Sequence, residues 1–161
     1  MTQQPSIQTI PQKKLVGKSA RMSLVQNTTS LLWNSFMQNR KAIKNAIGIN
    51  RYSIQVYDDA SYFKNFNPQT EFTKYAMTEV EDFSFIPTEM ETLTIPSGLY
   101  AVFIYKGLPQ GFPKLANYIF GEWLPNSVYQ LDHRPHFEVL RENYNPTDEN
   151  SQEEVWIPIK I

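Results

Sequence analysis

The sequence predicts an α+β fold made of two βαββ units, with antiparallel strands and one main helix in each unit. Three observations predict it. Signals for strand, helix, strand and strand occur in that order twice along the chain, in stretches of similar length. Each unit carries a single helical apolar stripe, enough to cover one face of a small sheet. The chain has 161 residues, 41% hydrophobic and 14% aromatic, so it can fill a core with some aromatic surface left over.

The elements of the first unit follow from local pattern. Residues 1–9 read as a flexible leader, and the domain is expected over 10–161, in halves of about 10–82 and 91–161. From Lys14 to Ser23, Leu15 and Gly17 alternate with Val16 and Lys18 as a strand. The run Gln26-Asn27-Thr28-Thr29-Ser30 offers N-caps. Leu32, Trp33, Phe36, Met37, Arg40, Ile43 and Ile47 then recur at helical spacing, predicting a helix over Thr28–Ala46 with Gly48 closing it. Tyr52, Ile54 and Val56 alternate with Ser53, Gln55 and Tyr57 as a strand, and Glu71–Val80 forms another after the Asn67-Pro68 turn.

A Pro-bearing connector over Asp82–Glu91 leads to the second unit, where Ile95-Pro96 echoes Ile10-Pro11. Tyr100–Tyr105 is the most strand-like run in the chain, ended by Lys106-Gly107-Leu108-Pro109. Pro113 suits a helix first turn, and Phe112, Leu115, Ile119 and Trp123 form one stripe of a helix over Pro113–Leu124. Strands follow over His136–Glu142 and Glu154–Ile161, separated by a polar loop from Asn143 to Gln152.

Composition excludes several functions. Fifteen Lys and Arg against sixteen Asp and Glu leave no basic face to neutralise phosphates, so no direct nucleic-acid partner is expected. Cysteine is absent, which removes disulfides and thiol chemistry. His133 and His136 flank Pro135 and cannot share a helical face, so neither a metal nor another cofactor is expected. Met1–Lys14 lacks the apolar core of a signal peptide, and no run approaches the roughly 18 apolar residues of a membrane span. A cytoplasmic protein without a membrane partner is the expectation. Gly98 and Gly107 read as turn glycines with no phosphate-loop pattern, and no serine-hydrolase turn is present.

Four segments of the second half carry a resemblance: Tyr100-Ala101-Val102-Phe103; the run from Tyr118 to Ser127 (Tyr-Ile-Phe-Gly-Glu-Trp-Leu-Pro-Asn-Ser); Arg134-Pro135-His136-Phe137-Glu138-Val139; and Trp156-Ile157-Pro158-Ile159. Together they resemble the GyrI-like, or AraC-type effector-binding, domain. The likeness is specific from Ile95 onward, whereas Leu15–Val80 fits through element order and length. It implies a pseudo-two-fold axis between the units, with a ligand groove at the axis walled by aromatic rings. It also implies a groove glutamate on the penultimate strand that meets cationic ligands, at the position of Glu138. Members of that family are fused to AraC-type or MerR-type DNA-binding domains or stand alone, and this chain reads as free-standing.

The resemblance therefore implies a small-molecule binding module that senses or sequesters amphipathic, often cationic or aromatic compounds, in the manner of bacterial transcription regulators and multidrug binders. Two alternatives stay open. One is a hydrolase of strained, cyclopropane-bearing natural products in which Glu138 directs water and Tyr118 assists proton transfer. The other is a protein-interaction role, as an inhibitor of a topoisomerase or in delivering a ligand to a regulator. On parity alone, Phe137 and Val139 take the core face and Glu138 falls on the solvent side, with Leu140 beside it; the resemblance turns that face into the groove. Trp33, Tyr52, Tyr57, Tyr75, Phe103, Tyr105, Tyr118 and Trp156 form a surplus of aromatics. Tyr118 lies beside the stripe that covers the sheet and is the strongest pocket candidate, while Trp123 goes to the core and Glu122 to solvent. The expected ligand-binding set is Glu138, Tyr118, Trp33, Tyr52, Phe103, Leu140 and Trp156.

Overall fold

The computed structural model describes residues 3–59 and 61–161. Nine strands and two main helices follow one another as β1 (Ser6–Ile10), β2 (Lys13–Met22), α1 (Thr29–Asn39), β3 (Arg51–Val56), β4 (Phe72–Glu79), β5 (Glu91–Ile95), β6 (Gly98–Lys106), α2 (Phe112–Tyr118), β7 (Gln130–Leu131), β8 (His136–Leu140) and β9 (Gln152–Lys160). All pairings are antiparallel, in the order β1-β6-β9-β8-β3-β4-β2-β5, with β7 attached to β9. The order is symmetric about the β8–β3 pair: β3 corresponds to β8, β4 to β9, β2 to β6 and β5 to β1. This is the duplicated α+β fold the sequence predicts, with the axis passing between the two central strands.

The echo of Ile10-Pro11 and Ile95-Pro96 has a structural meaning. Each proline ends a short strand that pairs with the opposite half, β1 with β6 and β5 with β2, and both isoleucines are buried in one cluster. Residues 6–9 are therefore part of β1 and not of a leader; Met1 and Thr2 lie outside the described residues. Four of the five β1 residues are exposed, which is why the segment reads as polar and loose. Gln3 fastens it further, its side-chain amide donating to the Ile104 carbonyl at 3.0 Å and accepting from the Ile104 N–H at 2.7 Å.

Strand alternation sorts the apolar side chains onto two faces. Leu15, Tyr52, Ile54, Met77, Tyr100, Phe137, Val139 and Trp156 pack together on one face. On the other, α1 lies over β2 and β4 through Leu32, Phe36, Val16 and Ala76. There α2 lies over β6 and β9 through Leu115, Ile119, Ala101, Phe103 and Val155. At Gly17 the β2 backbone approaches β4 so closely that an added Cβ would fall 2.0 Å from the Ala76 carbonyl oxygen, so only glycine fits.

Both helices differ from their sequence expectation. α1 ends at Asn39 and continues only as a 3-10 turn, Arg40–Ala42. The Asn39 amide donates to the Ser35 carbonyl at 2.8 Å, competing with the helix ladder, and Ala46 and Ile47 are drawn to Val80 and Glu79 at the end of β4. After Tyr118, α2 passes into a π-helical stretch, Ile119–Trp123, and a last turn, Leu124–Asn126. Pro125 lacks an N–H and crowds the carbonyl four residues back; the Leu124 N–H donates to Ile119, the wider π spacing. Gly107 does take a positive φ, of 145°. Gly98 instead opens β6 where the Arg134 guanidinium packs against the strand, so close contact and not a turn explains it.

Candidate functional site

Between the two helix-covered clusters, the helix-side face of the sheet is polar. Ser53 faces Glu138 across the β3–β8 pair and Gln55 faces His136. Ala76 lies opposite Ser53, and Val155 opposite Glu138. Two residues before each on the same face stand Lys74 and Glu153. The sequence produces this band by strand alternation: Tyr52 and Ile54, and Phe137 and Val139, take the opposite core face. Their neighbours are left over the axis, where neither helix reaches.

Glu138 is the hub of the band. Its Oε1 accepts from Gln55 Nε2 at 3.1 Å and lies 3.9 Å from Lys74 Nζ. Only 12% of either charged side chain is exposed. Burial pushes the Glu138 carboxyl above its ordinary value, while Lys74 and the Gln55 amide pull the other way. Glu153 is pushed up to about 8, first by burial and then by the nearby charge of Glu138. Burial, with a smaller push from His133 and Arg134, holds His136 down to about 3, so its ring is neutral. Burial also raises Tyr57, and raises Tyr144 to about 12.

Aromatic rings gather at the His136 end of this band. Phe63, on a 3-10 turn (Tyr62–Lys64), stacks on Phe120 of the π-helical stretch at 4.9 Å with 21° between planes. The stack joins the two halves. Both rings lie beside His136, at 5.6 and 6.1 Å, and Tyr57 meets the same imidazole edge-on at 4.8 Å. Tyr57 also packs on Tyr62 and Phe72. A poorly solvated carboxylate and ammonium beneath stacked rings can hold an aromatic molecule by its face and by its charge.

The structure distributes the sequence-derived site residues unevenly. Glu138 lies in the polar band, with Leu140 next along the same face, buried. Tyr118 does not join them. Its hydroxyl donates to the Gln3 carbonyl at 2.9 Å and accepts from the Gln3 N–H at 3.2 Å. It lines an outer recess of about 470 Å³ with Pro5, Ile7, Trp123 and Tyr129. Phe120, two positions later in the π-helical stretch, is the ring that meets Phe63 and His136, while Tyr118 is turned toward Gln3. Trp33 packs edge-on against Phe36 under α1, and Phe103 is fully buried against Trp123.

Tyr52 and Trp156 lie on the opposite face, each packed on Phe137, the Trp156 ring stacked at 5.3 Å. Trp156 borders a separate recess of about 540 Å³ with Val102, Arg141 and Glu154. Of the other aromatics, Tyr75 packs on that face as well, and the Tyr105 hydroxyl is tied to the Leu108 carbonyl. Sequence reasoning missed Lys74, Gln55, Glu153, Phe63 and Phe120. The parity of Ser53 and Gln55 opposite Tyr52 and Ile54 was the available signal for Gln55. Among the described residues, no cluster of three or more His, Cys, Asp or Glu side chains could hold a metal, and no helix is long and apolar enough to cross a membrane.

Fold and site together define a duplicated α+β module with a buried, charged band at its pseudo-two-fold axis and aromatic rings beside it. The chain belongs to the GyrI-like small molecule binding domain family, whose model matches residues 3–160. No curated protein matches the sequence. Among solved structures, SAV2435 bound to tetraphenylphosphonium is similar with a TM-score of 0.75 at 15% identity, over 98% of this chain and 94% of that one. A putative bacterial transcription regulation protein from Staphylococcus aureus is similar with a TM-score of 0.72 at 16% identity, over 99% and 100%. EcmrR in an EcmrR–DNA complex gives 0.71 at 18% identity, over 98% of this chain but 57% of EcmrR.

Proposed function

We propose that this chain binds small aromatic molecules carrying a cationic centre, in the groove above Glu138, and so senses or sequesters them. The observation that carries the reading is the buried Glu138 carboxylate, reached by one amide and one distant ammonium, two residues along β8 from His136, beside which Phe63 and Phe120 stack. A lipophilic cation restores the electrostatic interaction that burial removes from the carboxylate, while its rings lie on the aromatic roof. The similarity to SAV2435, whose structure holds tetraphenylphosphonium, supports the same ligand class. The match to EcmrR falls on its C-terminal domain, 99% of which is covered. On this reading the chain acts in the cytoplasm without direct DNA contact, with a regulator as its protein partner.

The hydrolase alternative paired Glu138 with Tyr118, and the Tyr118 hydroxyl is instead engaged at Gln3. Fluorescence titration with tetraphenylphosphonium tests the reading. Glu138→Gln keeps the shape and removes the charge, and affinity should fall roughly tenfold, about 1.4 kcal/mol, while neutral triphenylphosphine oxide is nearly indifferent. Equal weakening of both ligands, or no binding of the cation by the unaltered protein, defeats it.

A further inference from the structure

We propose that the groove is built for an aromatic zwitterion whose cationic and acidic groups are adjacent, with Glu138 taking the cation and Lys74 the acid. This names the ligand class of the site above and rests on that groove being the binding site. Lys74 and Glu153 occupy corresponding positions across the pseudo-two-fold axis, each two residues before the partner of the central Ser53–Glu138 pair. One carries an ammonium and the other a carboxyl group. The groove is therefore charged unevenly across its axis, with its basic end at β4.

Hydrogen bonding points the same way. The Lys74 Nζ stands 3.9 Å from Glu138 Oε1, beyond hydrogen-bond range, and donates no hydrogen bond among the described residues. Among the described residues the Glu138 carboxylate accepts only from Gln55, on Oε1. Both side chains are 12% exposed, so they are poorly solvated yet reachable. Of the other cations on this face, Arg51 donates to the Arg141 carbonyl at 3.0 Å and Lys18 to the Ser35 hydroxyl at 2.8 Å.

A plain cation placed at Glu138 shares one carboxylate with Lys74, since Glu153 stays protonated up to about pH 8. A zwitterion laid head-to-tail against the Lys74–Glu138 pair gives every charge an opposite neighbour and supplies the acceptor that the Lys74 ammonium lacks. Its aromatic part then meets Phe63, Phe120 and Tyr57.

The test uses isothermal titration of N,N,N-trimethyltryptophan, its methyl ester and tetraphenylphosphonium. The ester keeps ring and cation and removes only the acid. The unaltered protein should bind the zwitterion at least about tenfold tighter than the ester, the scale of one charge-assisted bond. Lys74→Met should erase that preference while leaving tetraphenylphosphonium bound equally or more tightly, opposite directions that a general loss of structure does not produce. Lys74→Arg should retain the preference, which keeps the test decisive if the methionine variant fails to fold. If the ester binds as well as the zwitterion, or if tetraphenylphosphonium binds and the zwitterion does not, the inference is overturned and the groove reading stands. If none of the three binds, the groove reading falls and takes this inference with it.

Discussion

The raised carboxyl of Glu153 makes a quantitative prediction about stability. Its ordinary value is 4.5 and the fold holds it at about 8, so between those pH values the native chain keeps a proton that the unfolded chain has released. The group's contribution is fully present below about pH 4.5 and is lost as pH rises through 8. Each unit of difference corresponds to about 1.4 kcal/mol, so between pH 5 and pH 8 the loss comes to roughly 3–4 kcal/mol. Glu153→Gln presents a neutral side chain at every pH and removes this dependence. Thermal unfolding of the two proteins should then diverge with pH, the variant's Tm advantage growing by roughly 7–14 °C from pH 5 to pH 8 for a domain of this size. Parallel Tm–pH curves would falsify the assignment of a buried, protonated Glu153.

Two further outcomes separate architecture from site. Gly17→Ala places a Cβ 2.0 Å from the Ala76 carbonyl oxygen and should destabilise the chain by about 2 kcal/mol or more, since backbone on both strands must move; an unchanged denaturation midpoint in urea contradicts the close β2–β4 approach. Tyr118→Phe removes the hydroxyl that holds Gln3 and should cost about 1 kcal/mol and speed amide exchange in β1, with tetraphenylphosphonium affinity unchanged; a large loss of affinity would return Tyr118 to the groove.

Much of the framework was legible because period-2 and helical patterns are local. The strands from Lys13 to Met22, Arg51 to Val56 and Phe72 to Glu79 follow from alternation that each segment carries within itself. β1 escaped because an edge strand exposed on both faces needs no apolar alternation; its partner β6 lies about ninety residues away. The carboxylate at Glu138 was reached through resemblance. Parity correctly separated it from Phe137 and Val139 but assigned its face to solvent, because nothing in one strand reports what the other half of the chain lays over it.

What the sequence determined alone is the order of the six strands and two helices of the βαββ units, the two helical stripes and the core face of those strands, since these depend on neighbours within a few residues. Tertiary structure decided which leftover face became a groove. The pairing of β3 with β8 sets Glu138 against Ser53 and within reach of Gln55 and Lys74, residues more than sixty positions away. It also decided which ring of α2 serves the site: the helical stripe favoured Tyr118, but Tyr118 is held by Gln3 and the π-helical stretch presents Phe120 to Phe63. Side-chain direction near a helix defect depends on what packs around it, and that information resides in the fold.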